Sequence, residues 1–303
     1  LQAIIDFNDP VIAYGLSCPI KFVRLVKKTI KGKTRLYVQL ICEGIPYQKE
    51  KNYIAEGKIG IDVGPSTVAI VSDTKSSLNL FCHELKDIHG KIRVIQRKME
   101  RQRRANNPDN YNSNGTIKRG KLHWHNSKRY LASKAQFTEL NRRQAAYRKS
   151  LHGQLVNDIL RCGNTIYLED ISYKAFQKNF GKSVNYRAPS MFVNMIKTKL
   201  LRVQGKFEEF PTVSTALSQM CQCGRRQKKE LRVRWHRCEC GINMQRDLYS
   251  AFLARHVKQN SGGKYYLDLQ SATNEWAQIK PVLDEAINNV KMTYNHIPKS
   301  FGI

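Results

Sequence analysis

The sequence predicts an α/β fold, in which short buried strands alternate with long helices and a small cysteine module is set in as an insertion. Three observations lead there. Short β-branched runs at 59–63 and 67–72 are followed much later by another at 165–169. The stretches between them repeat apolar residues every three or four positions, the period of a helix. Two matched corners, Cys221-Gln-Cys223-Gly and Cys238-Glu-Cys240-Gly, interrupt the last third of the chain.

The 303 residues suffice for one large domain or two to three smaller ones, and 41% hydrophobic content is compatible with a sizeable core. A formal charge of +28, from 52 Lys and Arg against 24 Asp and Glu, far exceeds what solubility needs and points to nucleic acid. A basic membrane-surface protein is the competing reading. No apolar run approaches the roughly 18–20 residues that span a bilayer, and no secretory signal is visible. Leu1 stands where a Met would begin a chain, so a preceding part of the protein is expected.

Taken in order, residues 1–57 read mostly as β, with strands at 20–26 and 36–42 around a Lys31-Gly-Lys-Thr34 turn, part of a small barrel. Strands at 59–63, 67–72 and 78–84 form an antiparallel meander, turned first by Gly64-Pro65-Ser66. A helix over 87–105 puts Ile88, Ile92, Ile95 and Met99 on one face and Arg93, Arg97, Arg101 and Arg104 on another. A polar loop at 106–121 precedes a second long helix over 125–161, with Leu131, Phe137, Leu140, Tyr147, Leu151, Leu155 and Ile159 inward.

Between 91 and 150, 17 Lys and Arg face three acidic residues. Such a run can be a solvated helix face, but like charges at helical spacing repel unless a polyanion neutralises them. Lys128, Arg129, Arg142 and Arg143 on the second helix therefore join the first helix's arginines as candidate phosphate contacts. Trp124, Tyr130 and Tyr147 either stack on bases or pack in the core, and their spacing favours packing. Beyond the strand at 165–169 come a polar loop, a helix over 188–204 with Pro189 in its first turn, and a strand at 209–214. The cysteine module, a helix over 246–258 and a helical segment near 281–290 complete the chain.

Three carboxylates stand out. Asp62 lies in Ile-Gly-Ile-Asp-Val-Gly, Glu169 near the end of Thr-Ile-Tyr-Leu-Glu-Asp, and Asp247 in Gln-Arg-Asp-Leu-Tyr-Ser-Ala. An acid on a buried strand is costly unless it meets a cation. The element order matches the ribonuclease-H-like plan, in which acids on the first strand, the fourth strand and a late helix converge. Such a site would hold two Mg²⁺ or Mn²⁺ ions and act on phosphodiesters. Singly, each acid could equally be a surface or capping residue, Asp247 by favouring its helix N-terminus.

The two cysteine corners read as the halves of a zinc ribbon, one residue shorter at each corner than the usual Cys-x-x-Cys. Four thiolates from Cys221, Cys223, Cys238 and Cys240 would hold one structural Zn²⁺ with no open position for catalysis. Two disulfides, or inert thiols, are the alternatives, and His236 is a competing ligand. Arg225, Arg226 and Arg234 belong to a crowd of basic residues between the corners that suggests contact with nucleic acid. Cys18, Cys42, Cys82 and Cys162 read as reduced core residues.

In this order, Gly-Ile-Asp-Val-Gly, an Arg-rich helix, Leu-Glu-Asp, paired cysteine corners and Arg-Asp-x-x-x-Ala, the sequence resembles the TnpB family. These are transposon-encoded, RNA-guided DNA endonucleases related to compact type V CRISPR effectors and to the eukaryotic Fanzor proteins. The resemblance runs from about residue 58 to 256 and more loosely to the end. It implies a RuvC nuclease triad at Asp62, Glu169 and Asp247 and a zinc ribbon at the four cysteines. It also implies a domain plan: 1–57 the later part of a wedge β-barrel, 58–215 the first part of the RuvC domain, 216–243 the ribbon insertion, 244–275 the rest of RuvC, and 276–303 a C-terminal segment. The family's recognition helices would largely precede Leu1. Gln245 stands where the family often has Asp, and Tyr249 where it usually has Asn.

The implied activity is Mg²⁺-dependent hydrolysis of DNA, with guide RNA and target DNA as partners, no membrane, and a place for other parts of the same protein or a second copy. The implied location is the cytoplasm beside the nucleoid, or the nucleus in a eukaryote. The competing functions are a guide-bound DNA-binding protein that does not cut, a transposase, and an unguided RuvC-like nuclease.

Overall fold

A computed structural model describes residues 5–303. The chain divides into two units, one made by residues up to Gly44 with His83–Ser150, the other by Ile45–Cys82 with Leu151–Ile303.

The first unit opens with helix α1 (Pro10–Ser17), which the sequence reading missed. Its start follows local rules: Pro10 fits the first turn, and the Asp9 side chain accepts the Val11 N–H at 2.8 Å. Strands β1 (Ile20–Ile30) and β2 (Lys33–Cys42) then form an antiparallel hairpin in which Ile30 pairs with Lys33. The turn is therefore the two residues Lys31 and Gly32, both at positive φ (51° and 74°), as a two-residue hairpin turn requires. Among the described residues no further strand joins this pair, so the expected barrel is represented by a hairpin alone.

Helices α2 (His89–Asn106) and α3 (Lys128–Leu160) follow, the latter ending in the second unit. Ile95 is buried on α2, with Ile88, Ile92 and Met99 half-buried beside it, as their spacing predicts. On α3 the inward set is corrected. Leu131 and Tyr147 are 49% and 47% exposed, because a stripe read over so long a helix drifts off any one packing face. The polar segment between the helices is tightly organised. Asn107 clamps His125 through two hydrogen bonds, donating to its carbonyl at 3.0 Å and accepting its N–H at 2.6 Å. Trp124 meets buried Tyr111 edge-on at 6.0 Å, with the Arg103 guanidinium over its ring, so it packs within the protein.

The second unit is built on a five-stranded mixed sheet. Its strands are β3 (Lys58–Val63), β4 (Thr67–Val71), β5 (Ser76–Leu80), β6 (Thr165–Asp170) and β7 (Lys206–Pro211), in the order β5-β4-β3-β6-β7. The first three pair antiparallel as a meander; β6 and β7 continue the sheet parallel to β3. Parallel neighbours need a crossover. Between β6 and β7 it is made by helices α4 (Tyr173–Arg187) and α5 (Pro189–Arg202). The sequence reading expected a polar loop where α4 lies; its helix is capped by Ser172, whose side chain accepts the Ala175 N–H. Left-handed Ala188 (φ 50°) separates the two helices, and Pro189 starts the second.

Beyond β7 the chain forms α6 (Thr212–Thr215), β8 (Trp235–Arg237), β9 (Asn243–Gln245), α7 (Arg246–Ala254), β10 (Val257–Gln259), β11 (Tyr265–Leu267) and α8 (Leu269–Thr293). Several boundaries differ from expectation. The third meander strand, expected at 78–84, is Ser76–Leu80, the strand at 209–214 begins earlier and yields to α6, α7 stops before a short strand, and α8 continues through Pro281.

Residues Asp247 through Ala254 of α7 are all buried. The helix lies so close to β3 that a Cβ on Gly60 would fall 1.8 Å from the Ala251 carbonyl oxygen. Backbone cannot yield that distance cheaply, so Gly60→Ala is expected to cost about 3 kcal/mol or more. Thermal denaturation checks it; an unchanged melting temperature would mean that α7 does not seat on β3 in this way.

Candidate functional site

The sheet topology brings two of the predicted acids together. In the parallel pair β3 and β6, Ile61 is level with Leu168, so the next residues, Asp62 and Glu169, stand side by side where the strands end. Both line one narrow cleft, with Ile61, Ile171, Leu217, Ser250 and Ala254. Asp62 points from a strand whose neighbours Ile61 and Val63 are buried. Glu169 accepts the Leu217 N–H at 3.4 Å.

Asp247 enters from the first turn of α7. It is 7% exposed and held by two donors, Thr67 Oγ1 at 3.5 Å and Arg246 Nε at 3.3 Å, and by an ion pair with Arg234 at 3.8 Å. Gln245 sets the start of that helix. Its Oε1 accepts the Leu248 N–H at 2.8 Å and its Nε2 donates to the Phe301 carbonyl at 3.2 Å. Gln245 is thus a buried helix cap, a job an amide does with both ends.

The electrostatics follow from burial. Desolvation first, then the charges of Asp247 and Glu169, push the Asp62 pKa well above the carboxylate range, against the opposing pull of Arg246 and Arg234. Burial pushes Glu169 to about 7. Unfolded, Glu169 ionises near 4.5. The folded state therefore binds more protons between those values, and stability falls as pH rises through that window. In magnesium-free buffer the loss attributable to Glu169 is expected to reach roughly 3 kcal/mol by neutral pH. Melting temperature against pH measures it; a flat profile from pH 4.5 to 7 would show that Glu169 is solvated.

Tyr173, on the first turn of α4, has a buried hydroxyl with no hydrogen-bond partner among the described residues, and burial together with the charge of Asp62 strengthens its hold on its proton. Nothing in its local sequence signals that position.

The cysteine group is closer knit. Among the described residues, the four sulfurs of Cys221, Cys223, Cys238 and Cys240 form the only group of three or more His, Cys, Asp or Glu ligand atoms lying within 4.8 Å of one another. The three carboxylates are not drawn to that spacing. Cys221 and Cys240 sulfurs are 3.5 Å apart, Cys223 and Cys238 sulfurs 3.6 Å. A disulfide needs about 2.05 Å, whereas Zn–S bonds of about 2.3 Å arranged tetrahedrally separate sulfurs by about 3.8 Å. All four thiols are free, and their spacing fits a zinc ion.

The two corners are built alike. Cys221 N–H donates to the Arg225 carbonyl at 2.9 Å, and Gly224 N–H donates back to Cys221 at 2.9 Å. Cys238 and Gly241 repeat the pattern with Ile242, at 2.9 and 3.0 Å. Gly224 and Gly241 take φ of 84° and 92°, the left-handed conformation that each tight corner demands. The Cys240 backbone N–H holds Cys238 near 7, while burial pushes Cys221 up to about 12. Cys238 is thus the ready thiolate, and Cys221 needs a cation beside it to ionise.

His236 is outside this group. It stacks on Tyr249 with ring centroids 4.5 Å apart, and its Nδ1 lies 2.6 Å from Lys229 Nζ. Burial and that cation lower its pKa to about 4, so it stays neutral.

Of the candidate phosphate contacts, Arg93, Arg97, Arg101, Lys128 and Arg129 are exposed and make no ion pair among the described residues. Arg104 is exposed but lies over the Tyr111 ring and bonds to the Gly115 carbonyl. Arg142 and Arg143 both bind Glu139, at 2.7 and 2.8 Å, which spends much of their charge within the protein. Arg225 and Arg226 line an open cleft with Arg237 beside Cys238, although Arg225 also pairs with Glu239. Arg234 is turned toward Asp247.

No protein-family model and no curated protein matches the chain. Among the described residues, no helix is long and apolar enough to cross a membrane.

Proposed function

We propose that this protein is an RNA-guided, Mg²⁺-dependent DNA endonuclease of the TnpB kind, cutting phosphodiesters at a RuvC-type centre formed by Asp62, Glu169 and Asp247. The observation that carries the reading is the meeting of Asp62 and Glu169 in one cleft, with the charge of Asp247 bearing on Asp62. Asp62 and Glu169, both destabilised in their charged forms, with Asp247 brought in from a third segment, make a place that a divalent cation would relieve. The strand order, a three-stranded meander extended by two parallel strands, supports the ribonuclease-H-like interpretation.

Bound Mg²⁺ or Mn²⁺ would supply positive charge to the attacking and leaving oxygens. The protein's own part is to hold the carboxylates. Asp62, Glu169 and Asp247 would together hold the ions, the charges of the other two already bearing on Asp62. Thr67 and the two arginines orient Asp247. The zinc-binding cysteine group would act as a structural support beside them.

The exposed arginines of α2 support a polyanionic partner, which the resemblance makes guide RNA and its DNA hybrid. The direct test is to sequence the RNA that co-purifies with the protein and to use its variable end to design a DNA target. A discrete species with a constant scaffold, directing cleavage, is the expected result; random RNA with no directed cleavage would overturn guidance. Reversing Arg97 and Arg101 to Glu is expected to weaken RNA binding and lower the salt slope by about 2. An unchanged slope returns that face to solvent.

A further inference from the structure

Tyr249 joins the cysteine group to the helix that carries Asp247. One cysteine corner reaches α7 through the chain itself, since β8 and β9 flank Cys238 and Cys240 and β9 passes directly into α7. That hairpin also carries the grip on Asp247: the Arg246 N–H donates to the Arg234 carbonyl at 2.7 Å, and both side chains pair with the carboxylate. The other corner is far away in sequence. Its tie to α7 is the Tyr249 hydroxyl, which accepts the Gln222 N–H at 3.0 Å and lies 3.6 Å from Cys221 Sγ.

The ring is 1% exposed, stacked on His236 and edge-on to Trp276 at 5.5 Å, so the hydroxyl has little freedom to turn away. With one lone pair taken by the Gln222 N–H, its proton has two acceptors within reach, Cys221 Sγ and Gln222 Oε1, the latter at 3.4 Å. A metal-bound thiolate carries charge, and charge-assisted hydrogen bonds are the stronger ones. An ion on the cysteines would therefore draw the proton to sulfur and tighten α7 against the first corner.

We propose that Tyr249 is a positioning residue that couples zinc occupancy of the cysteine group to the placement of Asp247, two residues earlier on α7. Its value to catalysis rests on the nuclease function proposed above; the coupling itself does not. Hydrogen–deuterium exchange of the segment 244–250 tests it, in zinc-loaded and zinc-stripped protein. Zinc is expected to slow exchange there in the natural protein. In Tyr249→Phe, which keeps the ring and removes the proton, that protection should shrink, and a chelator should extract zinc about tenfold faster.

Exchange at 244–250 that ignores zinc, while 221–223 responds to it, would overturn the proposal. So would a folded Tyr249→Phe variant with natural protection and natural zinc release. If that variant fails to fold, exchange at 244–250 that ignores zinc in the natural protein would still overturn the proposal. The two readings fail separately: zinc-dependent exchange in a protein that cuts no DNA leaves the coupling and removes the nuclease, and the reverse pattern does the opposite.

Discussion

Asp62→Ala is expected to abolish DNA cleavage while making the metal-free protein more stable. The carboxylate is half-buried on the central strand beside Glu169, and desolvation and two like charges oppose its ionisation. In the absence of a divalent cation it is a liability to the fold, so removing it raises the melting temperature. On the function proposed above, Asp62 would help to hold the divalent cations, and its loss would remove several kcal/mol of charge stabilisation at the reacting phosphate. That corresponds to a fall in rate of about 10³-fold or more. RNA binding should persist, because the exposed arginines of α2 lie outside the cleft. Two measurements made side by side, cleavage of a guided target and melting with and without MgCl₂, separate the roles. Magnesium should stabilise the natural protein and leave the variant unmoved. Equal cutting by both would remove Asp62 from the centre.

The second large effect is expected from Cys221→Ser. Cys221 is a buried member of the main core as well as a member of the cysteine group. A structural zinc site contributes of order 10 kcal/mol in small domains that depend on it, and this module has little other means of holding its two corners together. Its own buried core residues are few, chiefly Leu217, Cys221 and Ile242. The variant should lose its zinc and about 5 kcal/mol of stability, a drop of roughly 10–20 °C in melting temperature. Metal analysis and limited proteolysis between 217 and 245 read the two consequences separately. Absence of zinc from the natural protein would withdraw the metal assignment, and a variant that keeps its zinc would show that three sulfurs suffice.

These effects concern residues that differ in how well the sequence announced them. The meander with Asp62, the strand with Glu169 and the cysteine corners were legible, because each depends on a few neighbouring residues. Strands β3 and β4 are short apolar runs bounded by turn residues, and the corners are a repeated four-residue motif. Proline at the first turn likewise announced α5. Where the reading erred, the deciding contacts were distant. The polar composition of α4 reads as a loop, and besides its Ser172 cap it is the crossover between parallel strands β6 and β7 that accounts for a helix there. Leu131 and Tyr147 were placed inward from spacing alone, and spacing states a helix's stripe without saying whether anything covers it.

The same division runs through the candidate site. The identity of the acids and thiols, and the chemistry open to them, could be read along the chain, because a carboxylate in an apolar strand and paired cysteine corners carry their meaning locally. Their meeting could not. Asp62 and Glu169 become neighbours through parallel pairing across more than a hundred residues, and Tyr249 finds Gln222 only when α7 packs beneath the cysteine corners. Such contacts are set by which buried surfaces fit together, a property of the whole packed core to which no short stretch of sequence gives access.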